Sequence, residues 1–141
     1  MAIILVVDND TDICQIISEI LKEEGHSVDV AHDGETGLEK IRKMAYDLVI
    51  LDYKLPCIGG IKVLEDARGI RTTLRAVMIS AYGNAAVKSR AKELLAYAFL
   101  DKPFEMATLS SVVKGALESV APCSEPGQLR GWPYQPKQSR P

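Results

Sequence analysis

Two hydrophobic periods alternate five times along this chain, and that alternation restricts it to a narrow set of folds. Short apolar runs at 3–7, 28–31, 47–51, 76–79 and 97–100 are too brief for helices and read as strands. A segment of helical period follows each one. After the first run, Ile13, Ile16, Ile17, Ile20 and Leu21 fall at i, i+3, i+4, i+7 and i+8, and Gly25 supplies a stop. The second helix carries Leu38, Ile41 and Met44 on one face, and the third turns Ile61, Leu64 and Ala67 inward before a break at Gly69. An alanine-rich helix over 85–94 starts behind Asn84 as N-cap, and the last keeps its period through Leu109, Val112, Val113, Ala116, Leu117 and Val120. Repeated βα units of this kind require a parallel sheet joined by right-handed crossovers. The expected fold is α/β, a doubly wound five-stranded parallel sheet with helices on both faces.

At 141 residues the chain suffices for one domain with a real core, placed at 1–121. Residues 122–141 hold five of the seven prolines without periodicity and read as a disordered tail or the start of a linker. No signal peptide and no bilayer-spanning run is visible. Cys14, Cys57 and Cys123 are odd in number and widely spaced, which suits reduced thiols in a cytoplasm better than a disulfide framework or zinc site. Residues 1–121 carry 14 basic against 18 acidic side chains, a poor balance for gripping a phosphate backbone. Neither direct nucleic-acid binding nor a membrane role is expected.

In such a sheet, ligands meet the carboxyl ends of the strands. That edge collects Asp8, Asn9 and Asp10 after the first strand, Asp52 after the third, Ser80 after the fourth and Lys102 after the fifth. Crowded carboxylates raise one another's pKa unless a cation joins them. Hard oxygen donors of this kind suit Mg²⁺, which uses one or two carboxylates, keeps several waters and often takes a phosphate oxygen. A P-loop or dinucleotide site is excluded, because acids stand where a glycine-rich turn would have to cradle phosphate.

The segments "ILVVDND", "DLVILDYKLP", "VMISAY" and "AFLDKPF", in this order and spacing, resemble the receiver domain of bacterial two-component response regulators over residues 2–121. The resemblance implies a flavodoxin-like strand order 2-1-3-4-5. It further implies that Asp52 is a phosphoacceptor for a phosphohistidine, and that Asp8, Asn9, Asp52 and the Lys54 carbonyl hold Mg²⁺. Ser80 and Lys102 would receive the phosphoryl oxygens, while Ser80 and Phe99 would switch the surface of the fourth helix, fifth strand and fifth helix. Such a protein is a phosphoacceptor and no enzyme beyond its own phosphotransfer and autodephosphorylation. Its implied partners are a sensor histidine kinase or histidine phosphotransfer protein and a downstream protein or output domain lying outside this chain. A cis Lys102–Pro103 bond is implied as well.

Three positions depart from the family pattern. Asn9 replaces a metal-binding acid, so weaker Mg²⁺ binding is expected. Leu95 stands where a glycine usually ends the fourth helix, which makes a left-handed stop less easy. Gly59 replaces a polar residue before Gly60 and loosens the loop beside the site. The Asn9 departure keeps an alternative alive, a pseudo-receiver acting as a constitutive protein-interaction module. A haloacid-dehalogenase-like phosphohydrolase, suggested by Asp8-x-Asp10, is disfavoured because Asp12 stands where that motif expects Thr or Val. Asp12 reads as a first-turn helix acid, Asp10 as either that or added charge for the metal, and His26 and His32 as exposed loop residues.

Overall fold

The structure, a computed structural model, describes residues 2–81 and 83–119. Five parallel strands, β1 (Ile3–Val7), β2 (Ser27–Ala31), β3 (Leu48–Asp52), β4 (Ala76–Ser80) and β5 (Ala98–Asp101), form one sheet in the order β2-β1-β3-β4-β5. The helices α1 (Thr11–Glu23), α2 (Gly34–Lys43), α3 (Gly60–Ile70), α4 (Ala85–Glu93) and α5 (Met106–Glu118) alternate with them. The expected fold class and strand order are both found. Val120 and the segment 122–141 lie outside the described residues.

Strand periodicity divides the core in two. Ile4, Val6, Leu48, Ile50, Val77, Ile79, Ala98 and Leu100 pack with Ile17 and Leu21 of α1 and with Leu109, Val112 and Val113 of α5. Leu5, Val7, Val49, Leu51, Met78 and Phe99 pack on the other face with Leu38 and Ile41 of α2, Val63 and Leu64 of α3, and Ala91 of α4. Burial on both faces is why β1, β3 and β4 read as unbroken apolar runs.

Helix starts follow local chemistry. The side chains of Asp10, Asp33 and Asn84 accept backbone N–H groups of α1, α2 and α4, the last as the sequence predicts. Gly59 caps α3 with no side-chain bond, so the substitution there costs a cap. Two inward assignments need correction. Ile16 is 45% exposed and Met44 is 43% exposed: Ile16 lines an open groove with Phe104 and Met106, and Met44 is already the extended C-cap of α2. Ile61 is half-buried and packs against the core as expected, with Val63 buried beside Leu64 and Ala67. Helix α3 also runs through Gly69 to Ile70, since glycine in a helix costs only about 1 kcal/mol. His26 is half-buried, its Nδ1 accepting the Ala2 N–H at 3.1 Å, and only His32 is exposed.

Two helices end in the same way on different residues. After α1, the Gly25 N–H donates to Lys22 O and the His26 N–H to Leu21 O, with Gly25 at φ 95°. After α4, the Leu95 N–H donates to Lys92 O and the Ala96 N–H to Ala91 O, with Leu95 at φ 65°. Leucine therefore does adopt the left-handed stop that its side chain disfavours. Arg68 compensates from α3: its Nε and Nη2 donate to the Leu94 and Leu95 carbonyls, and its Nη1 donates to those of Thr72 and Leu74. Burial holds its pKa down at about 10, still charged at neutral pH. Because Ala keeps the φ penalty and Gly removes it, Leu95→Gly is expected to be about 1 kcal/mol more stable than Leu95→Ala in denaturant unfolding.

Candidate functional site

Parallel register brings the strand ends level. Val7 pairs with Leu51, Asp52 with Ile79, and Ser80 with Asp101, so Asp8, Asp52, Ser80 and Lys102 meet at one edge. Asp8 and Ser80 have no exposed surface, and Asp52 is 4% exposed. Lys102 Nζ donates to Asp8 Oδ2 at 3.0 Å and lies 3.6 Å from Asp52 Oδ2. The Asp8 carboxylate also accepts the Asp10 N–H at 2.9 Å. Asp8, Asn9, Asp10, Asp52, Lys54, Leu55, Pro56 and Lys102 line an open cavity of about 460 Å³.

Lys102 holds the two acids differently. Burial and the charge of Asp8 raise the Asp52 pKa to about 6, against the pull of Lys102 and an N–H from Lys54. For Lys102, burial works against the charged form, but the hydrogen bond to Asp8 and the charge of Asp52 outweigh it and hold the pKa above the ordinary lysine value. Asp52 is thus the acid that is held less completely, ionised at neutral pH and facing the cavity.

The sequence-predicted residues divide clearly. Asp8, Asn9, Asp52, Lys54 and Lys102 line the cavity. Ser80 closes β4 beside it, with its carbonyl accepting the Lys102 N–H at 2.8 Å. Phe99 lies behind the site in the core under α4. Asp10 spends Oδ1 on the Asp12 and Ile13 N–H groups, which makes it a helix cap first. Asp12 is the first-turn acid of α1. The Lys102–Pro103 bond is cis. Among the described residues no three acids, histidines or cysteines come together to hold a metal. The lining offers the Asp8 and Asp52 carboxylates, with Asp10 beside them, and the oxygens of Asn9 and Lys54, a set that fits an ion that keeps most of its waters.

Two features escaped the sequence reading. Cys14 donates its thiol to Asp8 O at 3.1 Å, and burial raises its pKa to about 11, so it is a buried prop and no nucleophile. Gly60 packs against the strand that carries Asp52: an added Cβ would stand 2.7 Å from Tyr53 Cα and closer still to Asp52 O. Its N–H donates to Tyr53 O at 2.7 Å. In sequence such a glycine signals only a turn.

A profile of the response regulator receiver domain matches residues 4–114. The chain belongs to the response regulator receiver domain family. Sporulation initiation phosphotransferase F of Bacillus subtilis is 32% identical over 111 residues, covering 79% of this chain and 90% of that protein. Transcriptional regulatory protein DltR of Streptococcus agalactiae is 35% identical over 113 residues, 79% of this chain but 50% of DltR. Among solved structures, a CheY-like receiver domain protein from Methanospirillum hungatei superposes with a TM-score of 0.82 at 30% identity, covering 84% of this chain and 94% of that one. The receiver domain of NtrX from Brucella abortus superposes at 0.77 with 36% identity, covering 82% and 98%. The receiver thus spans most of some relatives and half or less of others, as its 26% share of Escherichia coli ZraR also shows. It is a module of two-component phosphorelay signalling. Among its described residues no helix is long and apolar enough to cross a membrane.

Two expectations follow for this receiver. Gly60→Ala must displace the backbone beside Asp52, and its unfolding free energy should fall by about 3 kcal/mol. The second concerns the Asp52 proton. Since its folded pKa of about 6 exceeds the unfolded value, its stabilising contribution is full below about pH 4 and is lost as pH rises through about 6. Asp52→Asn should therefore stabilise the metal-free protein by about 2 kcal/mol near pH 8 and by almost nothing near pH 4. Urea unfolding in chelator at both pH values checks this.

Proposed function

We propose that the receiver accepts a phosphoryl group on Asp52. The observation that carries this reading is a nearly buried carboxylate lining an open cavity, 3.6 Å from a lysine ammonium. An Asp52 oxygen attacks the phosphorus of a phosphohistidine, the P–N bond breaks as the P–O bond forms, and the imidazole leaves with the electron pair. Charge in such a transfer gathers on the equatorial phosphoryl oxygens, so fixed donors beside the acceptor do most of the catalytic work. Lys102 and the Ser80 hydroxyl fill that role. Asp8, Asn9, Asp52 and the Lys54 carbonyl are the residues that would hold Mg²⁺, whose chemistry there is to neutralise the carboxylates and the incoming phosphoryl charge.

A protein donor fits the surroundings. Ile13, Ile16, Ala81, Pro103, Phe104 and Met106 line an apolar groove of about 420 Å³ that shares Lys102 with the site. The exposed Ile16 that the helix period misplaced belongs to this groove, which suits a histidine kinase or phosphotransfer protein better than a small ester. On phosphorylation Ser80 moves to the phosphoryl group and Phe99 repacks, shifting the population toward a second surface on α4, β5 and α5. The target is a downstream protein or an output domain.

One observation favours a second reading, a pseudo-receiver that docks without being phosphorylated: Asn9 stands at the cavity where the family pattern has a further carboxylate. Mass spectrometry after treatment with acetyl phosphate and Mg²⁺ separates the two. Labelling that vanishes in Asp52→Ala supports the acceptor, and its absence at any Mg²⁺ concentration supports the pseudo-receiver. In the same assay Asn9→Asp should lower the Mg²⁺ needed for half-maximal labelling by about tenfold, roughly 1.4 kcal/mol of metal affinity. Identical titrations would show that the lost charge is immaterial.

A further inference from the structure

Asp8 is tied at every polar group it has. Its N–H donates to Ala31 O at 3.0 Å, one carboxylate oxygen accepts the Asp10 N–H at 2.9 Å, the other accepts Lys102 Nζ at 3.0 Å, and its carbonyl accepts the Cys14 thiol at 3.1 Å. The first three bonds fix the end of β1 and the carboxylate. The fourth acts on the peptide unit that joins Asp8 to Asn9, because a planar unit whose carbonyl is held in one direction is held as a whole.

Cys14 grips the same turn at a second point. Its N–H donates to Asp10 O at 3.1 Å as α1 begins, so the two carbonyls that it holds belong to the residues on either side of Asn9. The anchor itself is firm: Cys14 is 2% exposed and packs with Ile17 and Leu21 in the core under α1. A side chain with one rotatable bond keeps its sulfur in place there. Asn9, by contrast, is exposed, and the backbone that Cys14 brackets decides where its side chain starts.

Placement matters more for an amide than for an acid. A neutral oxygen attracts a cation less than a carboxylate does, so it contributes only where it already points at the ion. Groups behind a metal ligand that hold its direction change metal affinity for this reason. We propose that Cys14 is the positioning residue for Asn9, holding the carbonyls of Asp8 and Asp10 so that the Asn9 oxygen is set for Mg²⁺. The inference deepens the proposed function and rests on its assignment of Asp8 and Asn9 to the metal. The thiol hydrogen bond is the feature that acts, and serine, which keeps a donor on the same carbon, separates it from mere filling of space.

The test is calorimetric titration of the full chain with Mg²⁺ in the wild type, Cys14→Ala and Cys14→Ser. Cys14→Ala should raise the Mg²⁺ dissociation constant about tenfold, and Cys14→Ser should bring it back to within about twofold of the wild type. Equal constants in the wild type and Cys14→Ala overturn the proposal. So does a Cys14→Ser that binds no better than Cys14→Ala, since packing is then the cause. If Cys14→Ala does not fold, Cys14→Val, which fills the space without a donor, takes its place. A second readout needs no metal. With chelator present, the carbonyl carbon resonance of Asp8 should move upfield in Cys14→Ala and move less in Cys14→Ser, and an unmoved resonance in Cys14→Ala overturns the proposal. A wild type that binds no Mg²⁺ overturns it too. A wild type that binds Mg²⁺ but takes no label from acetyl phosphate sinks the phosphoacceptor reading instead, and the comparison of Cys14→Ala with Cys14→Ser still decides the role of Cys14.

Discussion

The bridge from Lys102 to Asp8 and Asp52 is the constraint that the rest of the architecture serves. Two nearly buried carboxylates side by side are costly, because each is taken from water and each repels the other. One ammonium 3.0 Å from the first and 3.6 Å from the second offsets much of that cost without removing the net negative charge. No single βα unit can build the bridge, since Asp8, Asp52 and Lys102 follow β1, β3 and β5. It exists because parallel pairing fixes the register across four strands, and the two-sided core fixes the sheet.

How much of this could be read from the residues depended on how local the cause was. The strands were legible because burial on both faces leaves continuous apolar runs, and the caps at Asn84 and Gly25 were legible because a cap is a short-range bond. Met44 and Ile16 misled because a period says which side chains share a face, while only tertiary contact says where the covered face ends. Leu95 misled for the opposite reason. The backbone stop is local, but the guanidinium of Arg68 that ties the Leu94 and Leu95 carbonyls comes from another helix.

At the site the same rule holds. Polar residues that end apolar runs pointed to Asp8, Asp52, Ser80 and Lys102, because a strand end is visible in sequence. Which acid takes the short bond to Lys102 was not visible, since that depends on side-chain geometry across three strands. Asp10 stood equally well as ligand or cap until its bonds to the Asp12 and Ile13 N–H groups were seen. Gly60 carried no signal beyond a turn. What it contributes is empty space against Asp52 and Tyr53, and space has no letter of its own.

Strand periodicity also separates the chemistry from its consequence. Asp8 continues the positions of Ile4 and Val6, Asp52 those of Leu48 and Ile50, and Lys102 those of Ala98 and Leu100, all of which face α1 and α5. Ser80 continues Ala76 and Met78, which with Phe99 face α2, α3 and α4. The apolar groove beside the site, with Ile13, Ile16 and Met106, opens on the α1 and α5 side. On the proposed reading a donor docked there acts on one face of the sheet, whereas Ser80 and Phe99 lie on the other. Close packing within each core resists gradual deformation, so a change crosses most readily where the sheet ends. Of the residues at that edge, Ser80 is the one that borders the carboxylates while leading directly into the connection to α4.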